Sequence, residues 1–130
     1  MILLDTHVLI WWANGEHERL SDPAITAIEA KDHPRLVSAI SCWEVAMLVQ
    51  RGRLGLSIDC ERWLALLEAV PGVQLLPLSP AVAVASARLP GTFHADPADR
   101  LLVAQARDLN IPLVTADSKI RAYPHVHSLW

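Results

Sequence analysis

The sequence predicts an α/β fold of three layers, with helices on both faces of a mostly parallel sheet. Two observations predict it. Short apolar runs of strand length recur along the chain, separated by helical segments of about 10–15 residues. Strands joined in that way need crossover connections, which make them parallel. The first run, Met1–Leu4, is also apolar throughout rather than alternating, as in a strand covered on both faces. At 130 residues the chain is one domain, because two cores would each be too small.

Met1–Leu4 is the first strand, followed by a helix over Thr6–Ala13 that Asn14-Gly15 breaks. Ser21-Asp22-Pro23 joins a capping residue to a first-turn proline and starts a second helix, ending near Lys31. Arg35–Ala39 is the second strand. Ser41–Arg51 forms a third helix, with Val45, Leu48 and Val49 on its apolar face and Gly52 at its end. Asp59–Val70 forms a fourth, stopped by Pro71-Gly72. Val73–Leu78 is the third strand, and Ser79-Pro80 opens a helix that reaches Leu89. Beyond the Pro90–Ala95 loop, Asp96-Pro97 opens the most strongly marked helix, rich in Leu101, Leu102, Ala104, Ala106 and Leu109 and closed by Asn110. Pro112–Thr115 is the fourth strand and Val126–Leu129 a last one.

With 11 basic against 14 acidic residues and no lysine-rich block, the chain is not built to grip duplex nucleic acid by its phosphates. Its longest unbroken apolar run, Val8–Ala13, is too short to cross a membrane. Met1-Ile2-Leu3-Leu4-Asp5 lacks the basic start of a secretory signal, so a cytoplasmic location is expected. Cys42 and Cys60 lack C-x-x-C spacing and are expected as buried thiols. The mean hydropathy of +0.28 points to apolar surface that a partner or a second copy covers. Trp11 and Trp12 are adjacent and point in different directions from a helix, so one is expected at an interface. Ala81-Val82-Ala83-Val84-Ala85 makes its helix apolar around most of the circumference, with small side chains that suit packing against an identical helix. A homodimer is expected.

In a parallel sheet, chemistry gathers beyond the carboxyl ends of the strands. Four acids fall there: Asp5 directly after the first strand, Glu44 in the first turn of the third helix, Asp99 in the first turn of the Asp96 helix, and Asp117 two residues past the fourth strand. Asp96 is a fifth. Each also has a plain structural reading. Ser41-Cys42-Trp43-Glu44 has the form of a capping box. Asp96 before Pro97 is a standard cap, and Asp99 sits favourably on the helix dipole. Asp117 can cap a short helix from Ser118, and Asp5 can cap the Thr6 helix. For Asp5 a cap is not enough, because a carboxylate against a buried strand is costly to desolvate without a partner.

Gathered at one edge, acids ~5 Å apart repel by ~3 kcal/mol per pair at an effective dielectric of ~20. Arg100 and Lys119 can each reach one acid, and no basic residue is placed to neutralise all of them. Such a cluster stays partly protonated or holds a divalent cation. Carboxylate oxygens without cysteine or a histidine pair select Mg²⁺ or Mn²⁺ over zinc, and a centre of that kind serves phosphoryl chemistry.

Four stretches carry these acids: Leu3-Leu4-Asp5-Thr6-His7, Ser41-Cys42-Trp43-Glu44-Val45, His94-Ala95-Asp96-Pro97-Ala98-Asp99-Arg100-Leu101-Leu102-Val103-Ala104-Gln105-Ala106, and Leu113-Val114-Thr115-Ala116-Asp117. In this order and spacing the chain resembles the PIN-domain family, and within it the VapC-type toxins of bacterial toxin–antitoxin pairs, over nearly its whole length. The resemblance implies a PIN-like α/β/α sandwich and Mg²⁺- or Mn²⁺-dependent cleavage of single-stranded RNA, leaving a 5′-phosphate and a 3′-hydroxyl. It further implies a cognate antitoxin lying across the early helices and the acid groove, and commonly a homodimer. The family's four acids fall on Asp5, Glu44, Asp99 and Asp117. Asp5 and Asp99 would hold the metal directly, and Glu44 and Asp117 directly or through water. Asp96 becomes a cap or outer ligand, with Thr6 and Thr115 as supporting hydroxyls. His7 and Arg100 are candidates for phosphate contact, Arg100 equally for pairing with Asp96. Two rival readings are a PIN-like domain that binds RNA or protein without catalysis, and another magnesium phosphotransfer protein. The second needs an additional acid beside the first-strand aspartate, which Asp5-Thr6-His7 lacks.

Overall fold

Five strands make one sheet in the order β3-β2-β1-β4-β5, and every neighbouring pair is parallel. In the computed structural model, which describes Met1–Trp130, the elements follow in the order β1 (Ile2–Leu4), α1 (Thr6–Ala13), a single 3-10 turn (His17–Arg19), α2 (Asp22–Glu29), β2 (Arg35–Ser38), α3 (Ala39–Gln50), α4 (Cys60–Glu68), β3 (Val73–Leu76), α5 (Pro80–Ala87), α6 (Pro97–Leu109), β4 (Leu113–Val114), α7 (Ser118–Ala122) and β5 (Ser128–Leu129).

Side chains alternate across each strand, and the two faces feed two cores. Ile2, Leu4, Val37, Val73 and Val114 pack with Val8, Leu9, Ile28, Val45, Trp63 and Leu67 of α1 to α4. Leu3, Leu36 and Leu113 turn to the other face, against Leu102, Val103 and Ala106 of α6 and Ile120 of α7. This double covering is why β1 and β4 are apolar and buried along their whole length, each buried leucine contributing about 2 kcal/mol. No helix is long and apolar enough to cross a membrane.

Several boundaries differ from expectation. The third, fourth and last strands are shorter than their apolar runs, because pairing stops where the neighbouring strand stops. α3 begins at Ala39 rather than Ser41, since the Ser38 side chain accepts from the Ile40 amide and turns the chain straight from strand into helix. The Ser41–Glu44 capping box therefore does not exist: Ser41 is buried inside the helix and Glu44 lies in its second turn. α2 stops at Glu29, before Lys31. Trp11 and Trp12 are both half-buried, each against local partners. Trp11 meets His7, Trp130 and the Arg19 guanidinium, and Trp12 lies under Arg35. Cys42 and Cys60 are free and half-buried rather than fully enclosed.

From β1 the sheet grows one way through β2 and β3, and the other way through β4 and β5. The reversal lies between β1 and β4, whose helices leave toward opposite faces. A crevice opens beyond their carboxyl ends.

Candidate active site

Asp5 is the first residue past β1. Its amide still donates to Val114 O at 3.0 Å, so the sheet itself carries the side chain into the crevice. Only 7% exposed, the carboxylate is held at both oxygens: Oδ1 accepts from the Thr6 amide at 2.7 Å, and Oδ2 from Thr115 Oγ1 at 2.6 Å. Thr115 follows β4 on the other side of the reversal. Its oxygen also accepts from the Asp117 amide at 3.0 Å, so one buried hydroxyl orients two acids.

Thr6 Oγ1 lies 2.9 Å from Ser41 Oγ and in short contact with Glu44 Oε1. Having a single proton, it donates to the carboxylate and leaves Ser41 to donate in turn. Glu44 is thereby tied to α1 rather than to the start of its own helix. Asp96 caps α6 by accepting from the Asp99 amide at 3.0 Å, and Asp117 caps α7 by accepting from the amides of Lys119 (2.8 Å) and Ile120 (3.1 Å). Capping and membership of the site are not alternatives here. Helices that start at the carboxyl edge of the sheet bring their caps there with them.

Asp5, His7, Trp11, Glu44, Asp96, Asp99, Ala116 and Asp117 line one cavity of about 360 Å³. Thr6 and Thr115 lie beneath it. No arginine or lysine pairs with any of the five acids. Burial pushes the Asp5 carboxyl up, against the opposing hydrogen bonds from Thr115 and Thr6. Burial likewise raises Glu44, with Thr6 opposing and Asp5 and Asp96 adding to the rise. Asp99 is pushed up to about 7, first by burial and then by the charges of Asp5, Asp96, Asp117 and Glu44. A positive charge is what this cavity lacks. The all-carboxylate donor set fits a hard divalent cation. No three of these side chains close on one point as ligands, so a cation held here would keep several waters, as Mg²⁺ does when bound through one or two carboxylates.

Arg100 does not enter the site, contrary to both readings of it. Its guanidinium turns away and donates to the carbonyls of Ser86, Phe93 and His94. Those residues are half-buried, whereas Asp96 is exposed and already used by the Asp99 amide. His7 is exposed at the rim, which the acid cavity shares with a larger, mostly apolar groove of about 570 Å³ containing Trp43, Met47 and Arg51. Sequence reasoning assigned no site role to Ser41 or His94. A buried serine inside a helix was the available signal for Ser41; for His94 there was none, since a loop places it.

The PIN domain family profile matches residues 2–126. The chain belongs to the PIN domain family. It is 40% identical over 124 residues to Ribonuclease VapC22 of Mycobacterium tuberculosis, an alignment that spans 95% of this chain and 92% of that protein. A chain of the VapBC2 structure from Rickettsia felis, bound to a DNA fragment from their promoter, superposes with a TM-score of 0.72 at 19% identity, covering 98% of this chain and 97% of that one. A toxin–antitoxin complex from Klebsiella pneumoniae gives 0.68 at 22% identity, with 97% and 95% covered. VapC20 of Mycobacterium tuberculosis, a Sarcin-Ricin loop cleaving toxin, gives 0.64 at 16%, with 98% and 99% covered. These likenesses establish the PIN fold, and the expected three-layer sandwich is the one observed.

Proposed function

We propose that the acid cavity is a divalent-cation centre, Mg²⁺ or Mn²⁺, that cleaves single-stranded RNA, and that the chain is the toxin of a type II toxin–antitoxin pair. The observation that carries this reading is the convergence of Asp5, Glu44, Asp99 and Asp117 in one cavity with no arginine or lysine paired to any of them. The similarity to Ribonuclease VapC22 supports RNA as the polymer, and the toxin–antitoxin complexes among the structural neighbours support a cognate antitoxin as partner.

Asp5 and Asp99 would hold the cation directly, with Glu44 and Asp117 direct or through water. A cation bound there supplies acidity for the attacking water and positive charge for the phosphate. The chain's own residues do the rest. Thr115 and the Thr6 amide fix both oxygens of Asp5, so that ligand needs no reordering on binding. Thr6 Oγ1 holds Glu44 through Oε1. His7, exposed at the rim, is placed to meet a phosphate of the incoming strand. The acids read no base, so target choice belongs to the groove and loops around them. An antitoxin segment laid over the cavity would block the strand and inhibit cleavage.

Incubation with a single-stranded RNA tests this. With Mg²⁺ or Mn²⁺ the chain is expected to cut, leaving a 5′-phosphate and a 3′-hydroxyl, and EDTA is expected to stop it. Asp99→Ala should abolish cleavage. Asp96→Ala should lose about 1 kcal/mol of stability as a missing cap yet keep measurable cleavage. Undiminished cleavage in EDTA would overturn the cation centre, and the reverse pattern at the two aspartates would move the ligand to Asp96.

A further inference from the structure

His94 lies on the loop that leads into α6, two residues before the Asp96 cap. Its Nε2 is 3.0 Å from Asp99 Oδ2, buried, and hydrogen-bonded to no other group. The approach is close in distance and off-axis as a hydrogen bond. No other side chain reaches the Asp99 carboxylate as a donor.

The loop is fastened so that this contact persists. Arg100 donates Nε to Ser86 O at 2.8 Å and Nη1 to Phe93 O at 3.0 Å and His94 O at 3.2 Å. The Phe93 ring packs beside the His94 ring, 4.5 Å between centroids, and against Tyr123 at 4.7 Å. The Tyr123 hydroxyl in turn donates to Pro90 O, closing the loop. The arginine thus acts on the site at one remove, through the backbone that presents the histidine.

Asp99 needs such a partner more than Asp5 does. Asp5 is seated in the sheet, with a donor on each oxygen. Asp99 stands on the first turn of a helix, with no backbone amide donating to its carboxylate, and is repelled by Asp5, Asp96, Asp117 and Glu44. Repulsion alone would swing it out of the cavity.

We propose that His94 is a positioning residue, which holds Oδ2 of Asp99 and leaves the other carboxylate oxygen for the cation. This rests on the reading of the cavity as a cation centre. Groups that orient a metal ligand without touching the metal typically change affinity by about 10–100-fold when removed.

The test is Mn²⁺ binding to the RNA-free chain, followed by isothermal titration calorimetry, with the melting curve of the cation-free protein as the folding control. His94→Leu is expected to weaken Mn²⁺ about tenfold. His94→Gln carries an amide to the place of Nε2 and should recover most of the affinity. His94→Asn, whose amide reaches only the place of Nδ1, should behave like the leucine variant. Since glutamine and asparagine are both polar and uncharged, their difference survives even if the leucine variant folds poorly. Wild-type affinity in His94→Leu, or equal affinities for glutamine and asparagine, would overturn the positioning role while leaving the cation centre standing. Absence of Mn²⁺ binding in the wild-type chain would overturn both.

Discussion

Replacing Asp99 by asparagine removes one negative charge from a cavity in which burial and four other carboxylates hold its pKa at about 7. An acid whose folded pKa lies above its unfolded value binds more protons when folded. Its contribution favours folding at low pH and is lost as pH rises from 3.8 through about 7. Without added cation, Asp99→Asn is therefore expected to melt higher than wild type at pH 8, by several degrees for a change of the order of 2 kcal/mol. The gap should close near pH 4. Millimolar Mg²⁺ should then raise the wild-type melting temperature more than that of the variant, since a ligand of the native state stabilises it by mass action. Thermal scans at two pH values, with and without Mg²⁺, check both halves. A variant that melts lower than wild type at pH 8 would show that the repulsion is already relieved in the free protein.

At the scale of elements, Arg35 fastens the amino-terminal end of the sheet, away from the acids. Starting β2, it donates Nη1 to Ile28 O in the last turn of α2 at 3.1 Å, and Nη2 to Pro71 O in the turn before β3. Its guanidinium lies over Trp12 of α1, 5.2 Å from the ring centroid. Gly72 lets the turn come this close. It has φ +82°, and a Cβ there would stand 2.6 Å from Arg35 Nη2. Gly15 has a similar φ of +74° with open space around it. Gly15→Ala is thus expected to cost the left-handed backbone strain alone, about 1 kcal/mol, and Gly72→Ala about 1–3 kcal/mol in total once the guanidinium must move. Urea unfolding of the pair measures the difference. Equal losses would mean that the arginine yields without cost. Cleavage should survive both changes, because neither touches the carboxyl edge.

For the whole molecule, the surface that bears on assembly is α5. Val82 turns inward against the body of the protein, but Val84 is 51% exposed and Ala81, Ala83 and Ala85 are exposed with it. The expected homodimer would bury that stripe against its twofold copy. Light scattering at micromolar concentration should find twice the 14.3 kDa chain mass, and Val84→Glu should return it to one by placing like charges across the axis. A wild-type species of 14.3 kDa would rule the dimer out.

Residues close together in the chain explain what could be read without coordinates. Apolar runs, capping residues and helix-breaking pairs act through neighbours, so the α/β class, the first two strands (expected over Met1–Leu4 and Arg35–Ala39, observed over Ile2–Leu4 and Arg35–Ser38) and the caps Asp96 and Asp117 follow from the sequence. The four acids stood out for a related reason: each comes directly after a strand or in the opening turns of a helix, and a parallel sheet collects such places at one edge. Partner choice was different. Thr115 and Asp5 share a hydrogen bond across 110 positions, made possible only because β4 pairs with β1 rather than with β3. Glu44 looked to its own helix and is held by Thr6; Arg100 looked to Asp96 or phosphate and is held by loop carbonyls. In each case a polar group had a partner nearby in sequence and another nearby in space. Burial decided between them, because an unmet carbonyl or hydroxyl inside the protein costs more than an exposed carboxylate left to water.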